Sequence, residues 1–256
     1  MSYTATTTPL DAKEADARAS LASSSSSTLY TSAKESSSFY PSRLLNVDAR
    51  GIGAIRIPIP DRQTEIAIRG FDGQISYISD RDKFWSGNSV LSAPKLGNLI
   101  RTEYFFGPKR DPVIRLLHPS SALPNEVKIK GKWPSRSVHF TMPNETTFGW
   151  SYEKEKRSDG EHLHLIVLRV IESPNSKTND PSNRRIAQLV RSSDTRTPGT
   201  HRCTAGNGGE LQVDDGALHT FQLEESVVVA TCLVMLKKEI DRRRLTQAIV
   251  MGGAGS

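Results

Sequence analysis

The chain has 256 residues, a formal net charge of +6 and a hydrophobic fraction of 36%. That length admits one large or two small domains, and the basic balance favours anionic partners such as lipid headgroups, nucleic acid or acidic protein faces. Cys203 and Cys232 are the only cysteines, too few for a disulfide framework, so two free thiols in a reducing compartment are expected.

Residues 1–43 are rich in Ser, Thr and Ala, with "ASSSSST" and "ESSSF" among them. Such a stretch cannot bury enough apolar surface to offset an ordering cost of roughly 1–2 kcal/mol per residue, so it is read as a disordered tail. It has no apolar core of the kind a secretory signal needs, and its acids and bases balance, unlike a transit peptide. Lys13, Arg18, Lys34 and Arg43 cancel Asp11, Glu14, Asp16 and Glu35. The positive excess therefore belongs to a folded body over residues 44–250, and the expected location is cytoplasmic, peripheral at a membrane.

From about residue 50 the apolar residues recur with period two, the mark of strands. "AIRIPIP" places Ile55, Ile57 and Ile59 on one face, and "TEIAIRG" does the same with Ile66 and Ile68. "GQISYIS", "NLIRTEYFFG" and "PVIRLLH" follow. "SVHFTM" sets Val138, Phe140 and Met142 against His139 and Thr141, and "TTFGWSYE" puts Phe148, Trp150 and Tyr152 on one side. "HLHLIVLRVI" is apolar on both faces in its middle, and "RRIAQLVR" and "GELQV" complete the set. Two polar stretches, residues 173–184 and 195–209, read as loops.

Residues 227–236, "VVVATCLVML", are the most hydrophobic run. A run of ten residues is half of a membrane span, and Glu224 and Glu225 prevent its extension, so no transmembrane segment is expected. The valines suit a strand. Three features favour a helix over about 224–245: acids at its start with bases at its end, Glu239 spaced to pair with Arg242 or Arg243, and a stripe of Val229, Leu233, Leu236 and Ile240. Its first half is apolar all round and must be buried on every side. A two-layer packing cannot surround a helix in that way; a closed barrel can. The expected fold is mainly β, an antiparallel barrel closed around a C-terminal helix.

"FGWSYEKE" (148–155), "IAQLVRSSDTRTPGT" (186–200), "GNGGEL" (206–211) and "VVATCLVMLKKEIDRRR" (228–244) resemble a family of uncharacterised fungal proteins of the tubby C-terminal-like superfamily. Tubby proteins, phospholipid scramblases and LURP-one-related proteins share that arrangement. The resemblance covers about residues 45–250. It implies a barrel of about twelve strands enclosing a helix, and it brings no activity or binding residue with it.

The basic residues form two groups. In "VKIKGKW" a strand turns Lys128, Lys130 and Lys132 to one face at ~6.7 Å intervals, with Arg136 close behind. "KKEIDRRR" supplies Lys237, Lys238, Arg242, Arg243 and Arg244. Each such charge is worth about 1 kcal/mol near an anionic bilayer. The competing explanations are a solvated strand face guarded against edge pairing, and helix-dipole capping with pairing to acids on the barrel rim. If the helix end and the lysine strand share a rim, the two groups make one patch.

Other motifs carry less. "GNGGEL" lacks the Gly-Lys-Ser/Thr ending of a P-loop and reads as a tight turn needing positive φ. His162, His164, His201 and Cys203 match no usual zinc spacing. The face Phe148–Trp150–Tyr152 could stack nucleobases, with core filling the stronger account. No paired carboxylates or activated nucleophile is legible, so no enzyme and no cofactor is expected. The expected function is a binding module for anionic phospholipid headgroups, phosphoinositides included. A protein-interaction or signalling scaffold is the alternative, and nucleic-acid binding ranks behind both.

Overall fold

The computed structural model describes residues 39–53, 63–83, 86–105, 110–117, 125–131, 135–156, 160, 162–172 and 183–253. All of them belong to the unit Lys34–Ser256. The expected strand at 54–60 and most of the loop expected at 173–184 lie outside the described residues.

Twelve strands precede two helices. They are β1 (Arg43–Val47), β2 (Glu65–Gly70), β3 (Ile75–Arg81), β4 (Ser89–Ala93), β5 (Gly97–Glu103), β6 (Val113–Leu116), β7 (Glu126–Lys130), β8 (Val138–Thr141), β9 (Thr147–Lys156), β10 (His162–Glu172), β11 (Arg185–Val190) and β12 (Gly209–Val213). The helices are α1 (Asp215–Phe221) and α2 (Glu225–Gly253). Each strand pairs antiparallel with its chain neighbours, and β1 also pairs with β12, closing the sheet into a barrel. Closure puts Arg43 opposite Val213 and Val47 opposite Gly209. Among the described strands none is left as a sheet edge for another chain to pair with.

The period-two signal becomes an inside and an outside. On β7 and β8, Val127, Ile129, Val138 and Phe140 are buried while Lys128, Lys130, His139 and Thr141 face water. β10 is buried on both faces. Ile166 and Leu168 join the inner core, and Leu163, Leu165 and Val167 make a small outer cluster with Val190.

α2 fills the interior. Residues 227–232 are each exposed by 2% or less, so the helix is enclosed on every side there. Burying about eight large side chains at ~2 kcal/mol each contributes a gross ~15 kcal/mol, before entropy. A polar contact fixes its depth: the Trp150 indole N–H on β9 donates to Thr231 Oγ1 at 3.0 Å. Thr231 in turn donates to the Val227 carbonyl at 2.8 Å, so both buried side-chain donors of this contact are satisfied. At the N-terminal end Glu225 accepts from Arg43 Nε at 3.0 Å and from the Tyr77 hydroxyl at 2.8 Å.

Four expectations need correction. The first strand begins at Arg43, inside the stretch assigned to the tail. β4 and α1 were not anticipated; α1 is held by Asp214, whose Oδ1 accepts from the Ala217 N–H at 2.9 Å. α2 runs to Gly253 rather than Leu245, stopping at a pair of glycines. Its bases therefore lie more than two turns before its end, beyond the reach of the terminal dipole. Glu239, finally, pairs across to Arg191 and not along the helix to Arg242 or Arg243.

Candidate anion site at the helix-exit rim

α2 leaves the barrel past Leu236, and three segments surround it: the β7–β8 connection, the far part of β9, and the β11–β12 connection. The glycines of "GNGGEL" let the last segment approach closely. Gly206 has φ +74°, and a Cβ there would run into Ile240 of α2. A Cβ on Gly208 would overlap the carbonyl oxygen of Val47. The expected positive-φ turn is present, and it clasps the helix to β1.

This close approach brings charge together. Tyr152 of β9 is half-buried, with three guanidinium groups around its ring. Arg242 lies 5.8 Å, Arg191 5.9 Å and Arg136 6.0 Å from the ring centroid, all within cation–π range. Arg242 also donates from Nη2 to the Tyr152 hydroxyl at 3.1 Å and from Nη1 to the Ser135 carbonyl at 3.2 Å. Arg191 donates from Nη1 to Glu239 Oε2 at 2.8 Å and to Asn207 Oδ1 at 3.1 Å. The Gly206 N–H donates to the same Glu239 oxygen at 3.0 Å. Burial pushes the Tyr152 hydroxyl pKa up to about 12; Glu239 adds to the rise and the three arginines oppose it. The hydroxyl thus stays neutral and can accept from Arg242.

Among the described residues one ion pair reaches these three arginines, that of Arg191 with Glu239. Arg136 is exposed. The rim therefore gathers three guanidinium groups around one half-buried tyrosine, donors of a kind that suits phosphate or carboxylate oxygens.

The sequence candidates divide accordingly. Arg136 and Arg242 come together on Tyr152, so the helix end and the lysine-strand connection do share a rim. Lys130 and Lys128 are exposed on the outer wall of β7, which leads into that connection; Lys132 lies outside the described residues. Arg243 donates to the Cys203 carbonyl at 3.1 Å, and Arg244 is half-buried beside it in sequence. Lys238 is half-buried, and burial holds its pKa below the ordinary lysine range against the pull of Asp111. Lys237 is not on the surface. It is 7% exposed, its Nζ lies 2.6 Å from Asp241 Oδ1, and Asp241 Oδ2 accepts from the Tyr104 hydroxyl at 2.7 Å.

Arg191 is the residue that sequence reasoning passed over. It sits inside one of the family-like stretches, and the β9–β10–β11 pairing brings it beside Tyr152. Phe148 and Trp150 are fully buried, which makes them core and not a stacking platform. His164 Nε2 lies 2.9 Å from Arg202 Nη2. Burial, then Arg202, keeps its pKa below the ordinary histidine range.

The outer wall shows a contrasting arrangement. Glu153 accepts from Arg169 Nε at 2.9 Å and from Arg185 at 3.3 Å, and Arg185 reaches Glu155 at 2.6 Å. Positive charge there is neutralised in place. A concavity of about 330 Å³ beside this ladder is lined by His139, Gly149, Ser151, Arg169 and Asn183 among others.

A closed twelve-stranded antiparallel barrel filled by its own C-terminal helix, with a cationic rim where that helix emerges, is the class of protein that these features define. No family model matches the chain, and neither a curated protein nor a solved structure does. No helix among the described residues is long and apolar enough to cross a membrane.

Proposed function

We infer that the chain is a non-enzymatic binding module of the tubby-like kind, and that its helix-exit rim takes anionic phospholipid headgroups, phosphoinositides among them. The observation that carries this reading is the convergence of Arg136, Arg191 and Arg242 on Tyr152, where Glu239 is ion-paired with Arg191 alone. Elsewhere on the wall, arginines such as Arg169 and Arg185 meet glutamates. Surplus cations held at one rim by a rigid closed fold are arranged for an external anion.

Arg136, Arg243, Arg244, Lys128 and Lys130 each add about 1 kcal/mol near an anionic surface, a total of ~5 kcal/mol. That corresponds to a weak, reversible contact on the order of 0.2 mM. A phosphate seated against Arg136 and Arg242 adds charge-assisted hydrogen bonds to this sum.

The test is flotation of the full chain with phosphatidylcholine vesicles, with and without 30% phosphatidylserine or a few per cent phosphoinositide. Binding is expected only with anionic lipid and is expected to fall steeply with salt. Arg136→Glu with Arg244→Glu, checked for folding by thermal melting, reverses two charges and should weaken flotation on the order of 100-fold or more. Equal flotation of the folded variant and the wild type sinks the reading. Binding that is insensitive to lipid charge does the same.

A further inference from the structure

Beyond the arginines, α2 continues out of the barrel, and its surface changes character. Arg243 donates to the Cys203 carbonyl at 3.1 Å, and Gln247, one turn on, donates to the Gly53 carbonyl at 3.4 Å. These contacts hold one side of the projecting helix against the barrel, and Arg242 holds the other side at the rim, one turn before Leu245. That other side carries Leu245 and Ile249, four residues apart on one stripe. Leu245 is 37% and Ile249 64% exposed; Val250, 67% exposed, lies round the helix on the side of Gln247. An apolar stripe at a helix tip directly above a collar of arginines is the layout of an element lying at a lipid interface. Basic groups sit at headgroup level and aliphatic groups sit deeper.

We propose that the projecting part of α2 inserts Leu245 and Ile249 into the acyl boundary of an anionic bilayer while the arginine collar engages the headgroups. This inference rests on the headgroup reading above and adds depth to it. The collar selects the bilayer over a protein groove as the occupant. Arg242, Arg243 and Arg244 immediately precede the stripe, and among the described residues none of the three has an ion pair, so the apolar face and the surplus charge act on one partner.

An environment-sensitive fluorophore tests the proposal. In a Cys203→Ser background, Ile249→Cys is labelled with nitrobenzoxadiazole; a second protein carries the label at Thr220→Cys, an exposed position on α1. Both full-length proteins are mixed with phosphatidylcholine/phosphatidylserine vesicles whose acyl chains are brominated. The expected result is a blue shift and quenching at 249 and neither at 220. Ile249→Asn, unlabelled, should float about tenfold less well while keeping the same salt dependence. Flotation without a blue shift or quenching at 249 overturns insertion and leaves the headgroup contact standing. Absence of flotation with the wild-type chain overturns both.

Discussion

Asp241→Asn is the substitution whose cost can be reasoned most completely. Asp241 is 1% and Lys237 7% exposed, and they form an i,i+4 ion pair at 2.6 Å inside the barrel mouth. The second carboxylate oxygen accepts from the Tyr104 hydroxyl at 2.7 Å, and the ammonium lies 5.0 Å from the centre of the Tyr104 ring. Asparagine keeps the shape and an acceptor for Tyr104 and removes only the charge. The Lys237 ammonium is then buried without its counter-ion, which costs roughly 3–5 kcal/mol. Against a total stability of about 5–15 kcal/mol for a domain, that is a large share. The cost also depends on pH. Burial already holds the Lys237 pKa below its ordinary 10.5, and Asp241 opposes the fall. Without Asp241 the folded pKa drops further. Between that value and 10.5 the unfolded chain binds more protons than the folded one, so stability rises with pH. Equilibrium urea unfolding, followed by tryptophan fluorescence, should show the deficit at pH 7 and a partial recovery by pH 9. Lys237→Met with Asp241→Leu should lie within about 2 kcal/mol of wild type, because a packed apolar pair avoids both desolvation costs. A deficit for Asp241→Asn below about 1 kcal/mol, unchanged between pH 7 and 9, refutes the reasoning, since a buried pair cannot be broken so cheaply.

Three further outcomes are expected. Trp150→Phe removes the indole donor to Thr231 and leaves a gap beside the helix, and should cost about 1–3 kcal/mol in chemical denaturation. Gly206→Ala places a Cβ against Ile240 at φ +74°, and should cost about 2–4 kcal/mol from left-handed backbone strain and overpacking combined, read as a lowered Tm. On the alkaline side, burial raises Cys232 from 9.0 to about 12 and Tyr152 from 10.0 to about 12. The folded state keeps these protons after the unfolded chain has lost them. Their contribution is complete below pH 9 and is lost as pH rises toward 12, at about 1.4 kcal/mol per pH unit for each group. Cys232→Ala should delay the onset of that loss from near pH 9 to near pH 10 in a pH series of melting curves.

The helix and the barrel were legible for a single reason. Residues 227–236 are too short to span a bilayer and too uniformly apolar for one face, so they demanded enclosure. Strands with clean alternation, such as Val138, Phe140 and Met142, announced themselves in the same way. β4 did not, because in "SVLSA" only Leu91 is deeply buried and no alternation is visible. α1 did not, because seven residues are too few to show a stripe, although Asp214 as its N-cap was there to be read. The site was half legible. Arg136 and Arg242 were visible as basic residues, but their meeting at Tyr152 depends on which connections share a rim. Arg191 follows directly on the buried, apolar Leu189 and Val190 at the end of β11, so nothing local marks it. Lys237 was read with its basic neighbours by proximity; the Lys-x-x-x-Asp spacing to Asp241 was the signal that it turns inward instead.

The account stands most directly on which arginines meet the anion. Arginine side-chain Nε–H resonances of the isotope-labelled chain can be followed by NMR during titration with a soluble short-chain phosphatidylserine or phosphoinositide. Arg136, Arg191 and Arg242 should shift together along one saturating curve, while Arg169 and Arg185, which are bound to Glu153 and Glu155, stay in place. Shifts confined to Arg169 and Arg185, or no arginine shift at millimolar lipid, would contradict it.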